Sequence, residues 1–546
     1  MFNITFKVEG GEDVKIFAVG GENVLELARN AGVPIDAPCS GNGTCGKCVV
    51  RTTCDSIESQ CLACQTVVSC DTIVVVPKSV ANYINDISTV ILQQVNTSST
   101  SYGLAIDVGT TTVSALLVDI ATGDKLAKAT TGNAQIRYGA DVINRIIEQQ
   151  KPEGIKRLQD AIVLDTLIPL INNLCNATGV NRENITRLTV AANTTMNHLL
   201  LGVDANPIRI EPYEPPFLEF VIYDPGSIGI HVSPEAEMFL APNIGSYVGG
   251  DITAGVSVAA APLGWQKMTL FIDLGTNGEI VLGNNEFMMA CACSAGPAFE
   301  GGDISCGMRA TDGAIEKFTI DKNTMTPELT VIGDCKPIGL CGSGLIDVVA
   351  ELFRAGIING KGKLNHKTEN CSPRMDCPPR MDCHLSYDRI RHDEYGIGSY
   401  ILAFADDSAT GKDIALTEAD IDNFIRAKGA IFSGIMSLLA PLGFSPADID
   451  DVLIAGGIGS GINIQNAISI GMLPDLPLEK YSYIGNSSLD GAYAMLIAPE
   501  GDKIVKEIAS NMTYIDLSTQ PGYMDEFIAA CFLPHTDETL FPTATE

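Results

Sequence analysis

Seven of the chain's seventeen cysteines fall between residues 39 and 70, and the first three are spaced C-x5-C-x2-C in the segment APCSGNGTCGKC. Nothing else in the 546 residues constrains local structure as tightly. Thiolates are soft, strongly donating ligands, and four of them hold a 2Fe–2S unit. Glycines 41, 43 and 46 let backbone wrap such a group and aim amides at its sulfurs, because glycine tolerates positive φ. Cys39, Cys45 and Cys48 supply three thiolates, and Cys54, Cys61, Cys64 and Cys70 compete to be the fourth. Cys64 is preferred: it stands in LACQ, just before the apolar run TVV, where the start of a strand would anchor it. Cys61 is the alternative. Zinc would favour paired C-x2-C units. GNGTCGKC also matches G-x4-G-K, but Cys48 occupies the position where a P-loop needs Ser or Thr.

Around this loop, residues 2–9 and 12–19 read as strands of a hairpin turned by Gly10–Gly11. Asn23 is placed to N-cap a helix running to about Asn30, and Gly32 to stop it. Residues 72–77 read as a closing strand, which makes residues 1–80 an α+β domain of β-grasp type. No export signal is visible, so the cysteines are expected to bind metal or do redox chemistry in a reducing cytoplasm rather than form disulfides. The formal net charge of −31 argues against nucleic acid and anionic membrane as partners. No apolar run approaches the 18 residues of a membrane span.

Residues 81–101, ending in a Ser/Thr run, read as a flexible linker. From Tyr102 the texture is α/β: apolar strands end in glycine turns and alternate with helices. Three segments belong together. LAIDVGTTT (104–112) carries Asp107 on a strand into Gly109, Thr110, Thr111 and Thr112, whose amides and hydroxyls suit phosphate. LFIDLGTNGEI (270–280) repeats the layout with Asp273, Gly275, Thr276 and Asn277, 166 residues later. VLIAGGIGSG (452–461) turns through Gly456, Gly457 and Gly459, where bare backbone suits the face of a nucleoside.

Two D-x-G-T turns followed by a late AGG turn resemble the phosphate and adenosine segments of the actin, sugar-kinase and heat-shock-chaperone superfamily. The resemblance implies an α/β, ribonuclease H-like duplicated ATPase over residues 102–546, in two halves, with Mg-ATP organised by Asp107, Asp273 and Asp251. Glu300, Gly301 and Gly302 of SAGPAFEGG are further nucleotide candidates. Asp251 also reads as an ordinary helix cap.

A ferredoxin of this spacing ahead of such an ATPase resembles the reductive activators of corrinoid proteins. YGADVINRI (138–146), NTTMNHLLLG (193–202), NIGSYVGGD (243–251), LCGSGLID (340–347) and the FLPH tail are similar to that family. It implies ATP-dependent reduction of Co(II) cobalamin to Co(I) in a partner corrinoid protein. It also implies a low-potential electron donor and a homodimer, with the linker letting the ferredoxin swing toward cobalt. The rival readings are an activator of a radical dehydratase, a small-molecule kinase fused to a ferredoxin, and an electron carrier with a regulatory nucleotide site. His198, among apolar residues, is expected to be packed rather than catalytic. Cys371, Cys377, Cys383 and His384 lie in a duplicated SPRMDC/PPRMDC loop, read as a surface insertion.

Overall fold

The computed structural model describes every residue except 9–12, 34, 36, 38–40, 42, 44–47, 55–56, 78–87, 93–100, 261–264, 276, 322–323, 366–388, 458–460, 499 and 546. Cys39, Cys45, Thr276, Gly459 and the duplicated loop therefore lie outside the described residues. The chain divides into two compact units, residues 1–258 with 487–510, and residues 259–486 with 511–546.

The first unit opens with β1 (Phe2–Val8) and β2 (Val14–Ala18), paired antiparallel as the hairpin pattern predicts. Helix α1 (Val24–Asn30) follows, and the Asn23 side chain accepts hydrogen bonds from the amides of Leu25 and Glu26. Strands β3 (Val49–Cys54), β4 (Ile57–Leu62) and β5 (Thr72–Val76) complete a sheet of order β2-β1-β5-β3-β4, with β1 and β5 parallel. Ile4, Phe6, Val50, Val74 and Val76 alternate onto the face that meets Leu25 and Ala28 of α1. Burying each large apolar side chain there contributes about 1.5–3 kcal/mol.

Two expectations need correction here. Cys54 and Cys70 form a disulfide with Cα atoms 6.1 Å apart. The antiparallel register of β3 on β5, Cys54 opposite Thr72, brings the two thiols together. The TVV run is also not a strand: Val67 makes only an isolated bridge, to Asn23, and Cys64 sits in a single 3-10 turn, Ala63–Gln65.

The stretch expected to be a linker contains a strand, β6 (Ser88–Leu92), whose backbone pairs antiparallel with β9. It forms one edge of a seven-stranded sheet with β7 (Tyr102–Val108), β8 (Thr112–Asp119), β9 (Lys125–Gly132), β10 (Ile185–Ala192), β11 (Val221–Tyr223) and β12 (Glu237–Leu240). The order is β11-β12-β10-β7-β8-β9-β6. Free swinging of the ferredoxin through all of residues 81–101 does not survive this pairing. The ferredoxin also touches the rest of its unit: Arg29 Nε donates to the Arg137 carbonyl at 2.9 Å, and Lys151 lies 3.4 Å from Glu26.

Helices α2 (Val142–Glu148), α3 (Gly154–Ile162), α4 (Ile168–Thr178), α5 (Thr194–Leu201) and α6 (Asn206–Arg209) follow the meander. Leu158, Ile162, Leu170 and Leu174 bury one face of the sheet. The unit's last helices, α7 (Gly250–Ala260) and two from late in the chain, contribute Ala254, Leu489, Met495 and Val505 to a second core cluster with Ala105 and Ala191.

The second unit repeats the plan. Strands β13 (Thr269–Leu274), β14 (Gly278–Gly283) and β15 (Met288–Cys293) form an antiparallel meander. Two small sheets follow: β16 (Ala314–Ile320), β17 (Pro327–Val331) and β18 (Gly339–Leu340), then β19 (Ile390–His392), β20 (Gly398–Ala403) and β21 (Ile414–Thr417). Helix α8 (Gly342–Arg354) packs against β16, α9 (Glu418–Leu439) against β14 and β15, and α10 (Ile464–Ser469) against α8. Strand β22 (Asp451–Ala455) returns parallel to β13, and β23 (Tyr481–Gly485) parallel to β22. The late helices of the first unit are α11 (Ser487–Ile497) and α12 (Gly501–Asn511); β24 (Met512–Tyr514) and α13 (Tyr523–Ala530) close the chain. The run β23-β22-β13-β14-β15 mirrors β12-β10-β7-β8-β9, so Asp107 and Asp273 end the equivalent central strands.

Two helical stretches, Gly154–Thr178 and Glu418–Leu442, are long and apolar enough by composition to cross a bilayer. Half and two thirds of their most apolar windows are buried inside the fold, as in core helices.

Candidate functional site

The cysteine loop is closed by backbone. The amide of Ala63 donates to the carbonyl of Cys48 at 2.8 Å, which sets Cys48 beside the turn that carries Cys64. Gly41 and Gly43 both have positive φ, +91° and +76°. A Cβ on Gly41 would meet Leu25 Cδ2 at 3.1 Å and Cys64 Cβ at 3.7 Å, and one on Gly43 would meet Gln65 Nε2 at 2.7 Å. The glycine loop thus lies directly on the Cys64 turn, and its lack of side chains is a steric need. Asn23, besides capping α1, donates from Nδ2 to the Cys64 carbonyl at 2.8 Å, so the helix cap also fixes the turn.

The disulfide removes Cys54 and Cys70 from the ligand contest. Cys61 sits within β4 opposite Val50, with its sulfur 3.6 Å from the Thr52 hydroxyl. Cys64 alone of the four competitors faces the glycine loop in the contacts above. Soft sulfur donors on a wrapped, glycine-lined loop fit an iron–sulfur group. Among the described residues no cluster of three His, Cys, Asp or Glu side chains forms another metal site.

In the first unit, β7 delivers Asp107 between Ser114 of β8 and Ala191 of β10. The amide of Gly109 donates to the Thr112 carbonyl at 3.0 Å, and a Cβ there would lie 2.7 Å from the same oxygen. Three side chains that the sequence reading had not singled out truss this loop. Asn133 Nδ2 donates to the Gly109 carbonyl at 2.9 Å, Asn193 Nδ2 to the Thr110 hydroxyl at 2.9 Å, and Arg145 Nη2 to the Thr110 carbonyl at 2.5 Å. Arg145 is fully buried; it also donates to the Gly139 carbonyl and to Gln135 Oε1. Thr111 accepts through its carbonyl from the Asn133 amide at 2.8 Å. Thr112 begins β8 and is exposed.

Asp251 stands in the first turn of α7, where the helix dipole favours a carboxylate. The turn before it is pressed onto the one after β10: a Cβ on Gly249 would come within 2.4 Å of Asn193 Cα. The structure therefore brings Asp251, Asn193 and the Thr110 loop together within one unit.

In the second unit, Asp273 lies between Glu279 of β14 and Ala455 of β22. The Gly275 amide donates to the Asn277 carbonyl at 3.0 Å, closing this turn one residue sooner than the Gly109–Thr112 bond closes its counterpart. Gly456, with φ +93°, packs on this turn: a Cβ would lie 2.6 Å from Asp273 Oδ1 and 2.4 Å from the Leu274 carbonyl. Gly457 has nothing within 4 Å of a Cβ position, so its backbone face is open. Gly456→Ala is expected to push Asp273 from its place and weaken nucleotide binding about tenfold, roughly 1.4 kcal/mol, measured by calorimetry with ADP. Glu300 ends the 3-10 turn Pro297–Glu300. Gly301 and Gly302 have nearby reasons of their own: Cβ atoms there would strike Met308 N at 2.4 Å and Pro297 Cβ at 2.6 Å.

His198 is packed, as expected: fully buried, its Nδ1 2.7 Å from the Thr194 carbonyl and its ring stacked on Phe217 at 4.1 Å. Burial holds its pKa below the ordinary value. Below about pH 6.5 the unfolded chain takes up a proton here that the folded chain resists, so stability falls as pH drops. His198→Phe is expected to flatten that fall, by up to about 1.4 kcal/mol per pH unit, in urea melts compared at pH 5 and 8.

Comparison with known proteins places these elements in one lineage. Residues 267–545 match the model of the C-terminal domain of RACo, the ASKHA domain; residues 102–261 match the RACo middle region; residues 8–69 match a 2Fe-2S iron-sulfur cluster binding domain. The chain belongs to the RACo family. Corrinoid activation enzyme RamQ of Eubacterium limosum is 32% identical over 428 residues, 78% of this chain and 69% of that protein. The [Co(II) methylated amine-specific corrinoid protein] reductase of Methanosarcina barkeri is 24% identical, over 76% of this chain and 73% of its own. A solved reductive activator for corrinoid, iron-sulfur protein aligns over 100% of both chains at 36% identity, with a TM-score of 0.72. As a RACo-family enzyme, this chain joins an iron–sulfur domain to a nucleotide-binding ASKHA domain.

Proposed function

We propose that this chain reductively activates a corrinoid protein, using ATP to return its cobalt from Co(II) to Co(I). The observation that carries the reading is one chain in which a glycine loop closes on Cys64 while both D-x-G-T turns end equivalent central strands. The full-length likeness to a reductive activator for corrinoid, iron-sulfur protein supports it.

Cys39, Cys45, Cys48 and Cys64 would hold a 2Fe–2S cluster. When bound, that cluster supplies a one-electron donor, reloaded by a low-potential protein or small reductant. The Ala63–Cys48 and Asn23–Cys64 hydrogen bonds hold the Cys48 and Cys64 backbone in place before binding, which lowers the ordering cost of those two ligands. Asp107, Asp251 and Asp273 would organise Mg-ATP. Thr110, Thr111, Thr112 and Thr276 would meet phosphate, and Gly456, Gly457 and Gly459 the nucleoside. Gly275 and Asn277 shape the second phosphate turn, and Glu300 would contact the nucleotide. The protein would work in the cytoplasm, as a homodimer.

ATP is needed because plant-type ferredoxins sit near roughly −400 mV and the cobalt couple lies lower. A deficit of about 0.1–0.2 V is roughly 2–5 kcal/mol for one electron. Nucleotide-dependent differences in how the corrinoid protein is gripped are of that order. The test is anaerobic: protein, a low-potential reductant, Mg-ATP and a corrinoid protein. Growth of the Co(I) absorption only with hydrolysable ATP is expected. Equal Co(I) formation without ATP would sink the reading, as would ATP turnover indifferent to the corrinoid protein.

A further inference from the structure

Two segments singled out in the sequence, NTTMNHLLLG and NIGSYVGGD, carry none of the phosphate contacts assigned above beyond Asn193 and Asp251. In the structure they are sewn to each other by buried polar groups. Thr194 Oγ1 donates to the Gly245 carbonyl at 2.6 Å. Just outside the second segment, Thr253 Oγ1 of α7 donates to the Pro242 carbonyl at 2.8 Å and ties the segment's two ends. Between these lies an amide pair. Asn197 Nδ2 donates to Asn243 Oδ1 at 2.8 Å and to the Ala192 carbonyl at 3.2 Å. Asn243 Oδ1 accepts a second bond, from the Gly250 amide at 3.1 Å. Asn197 is 0% exposed and Asn243 4%.

The connectivity has a direction. Gly250 is the residue before Asp251 and the first of α7. Its amide, one of the donors a helix start leaves unsatisfied, is met by Asn243 rather than by a conventional cap. Asn197 lies one turn after Asn193 on α5, and its amide N–H donates to the Asn193 carbonyl. Asn193 in turn holds the Thr110 hydroxyl. One chain of contacts therefore runs from Asp251 through Gly250, Asn243 and Asn197 to Asn193 and Thr110. Buried amides are costly when unpaired, about 1–3 kcal/mol each. Asn243 Nδ2 and Asn197 Oδ1 have no hydrogen-bond partner among the described residues. The pair thus does more than fill space, since an apolar pair would fill it without orphaned atoms.

We infer that Asn243, with Asn197, is a positioning residue for the first-unit nucleotide site: it locks the Asp251 carboxylate and the Thr110 phosphate loop into one rigid body. This deepens the proposed function and rests on its reading of Asp251 as a metal-organising group.

The test compares Asn243→Ala, Asn243→Asp and Asp251→Asn in the full-length protein. The readouts are Mn2+ binding followed by electron paramagnetic resonance in the presence of a non-hydrolysable ATP analogue, and hydrogen exchange across residues 249–252. Asn243→Ala is expected to weaken Mn2+ binding about five- to tenfold and to speed exchange at Gly250 by a similar factor, the scale of one lost buried hydrogen bond. Asn243→Asp keeps the Oδ1 acceptor and loses no described bond at Nδ2, so it restores slow exchange at Gly250. Unchanged Mn2+ binding in Asn243→Ala, with Asp251→Asn strongly weakened, would overturn this inference and leave the site reading standing. Unchanged Mn2+ binding in Asp251→Asn would instead overturn the reading of Asp251. Should Asn243→Ala not fold, Asn197→Ser takes its place, since it removes the Asn197–Asn243 bond from the other side; wild-type Mn2+ binding there would equally overturn the lock.

Discussion

Cys64→Ala is expected to yield a folded protein without iron–sulfur absorption and without the ability to reduce a corrinoid protein, whereas Cys61→Ser is expected to keep both. The contrast follows from position. Cys64 lies on the turn that the Cys48 carbonyl and the Gly41 backbone abut, so a thiolate there is beside Cys48 and the glycine loop. Cys61 belongs to the β4 ladder and contacts the Thr52 hydroxyl; serine at that place keeps a polar contact and the backbone pairing, a change of about 0.5–1 kcal/mol. Loss of one thiolate from a four-thiolate site removes the site's capacity outright, because the remaining ligands leave one iron under-coordinated. Iron content and visible absorption after anaerobic reconstitution decide it. Full iron in Cys64→Ala, or none in Cys61→Ser, would reverse the ligand assignment.

Arg145→Met is expected to lower both stability and nucleotide affinity, and Arg145→Lys to repair neither fully. The guanidinium is buried and serves three oxygens: the Thr110 and Gly139 carbonyls and Gln135 Oε1. Stranding them costs about 1–3 kcal/mol each, so roughly 3 kcal/mol or more in sum. A lysine ammonium has the charge without the planar fork that reaches three directions. Because one of the three oxygens belongs to the Thr110 loop proposed to meet phosphate, ATP is expected to bind at least about tenfold more weakly. Chemical denaturation and ATP titration at a temperature where the variant is folded separate the two effects. A destabilised variant with wild-type ATP affinity would show that Arg145 supports the core and not the loop.

Sequence patterns revealed those elements whose information is local. The hairpin of β1 and β2 alternates apolar residues, and Asn23 caps α1 through amides two and three residues away. Both D-x-G-T turns were legible because strand, carboxylate and glycine are contiguous. Strands β3 and β4 were not, since VVRTTC and IESQCL are largely polar and β4 is mostly exposed. β6 was hidden in a Ser/Thr-rich context and exists through backbone pairing with β9. The trussing residues were illegible for another reason. Asn133, Arg145 and Asn193 bond loop atoms 24, 35 and 83 residues away, distances at which no periodicity carries a signal. The disulfide likewise follows from a β3–β5 register that the cysteine spacing does not encode.

The edge pairing of β6 with β9 also sets a leash. Between the end of β5 at Val76 and the start of β6 at Ser88 stand eleven residues, a contour of roughly 40 Å when fully stretched. Had all of residues 81–101 been slack, the tether would have been about twice as long. Whatever path those eleven residues take, their length caps how far the ferredoxin sheet can stand from the β6 edge. It also limits the radius within which a partner's cobalt can be served. The corrinoid protein must then bring its cofactor into that radius, so the burden of large movement falls on the partner rather than on the ferredoxin.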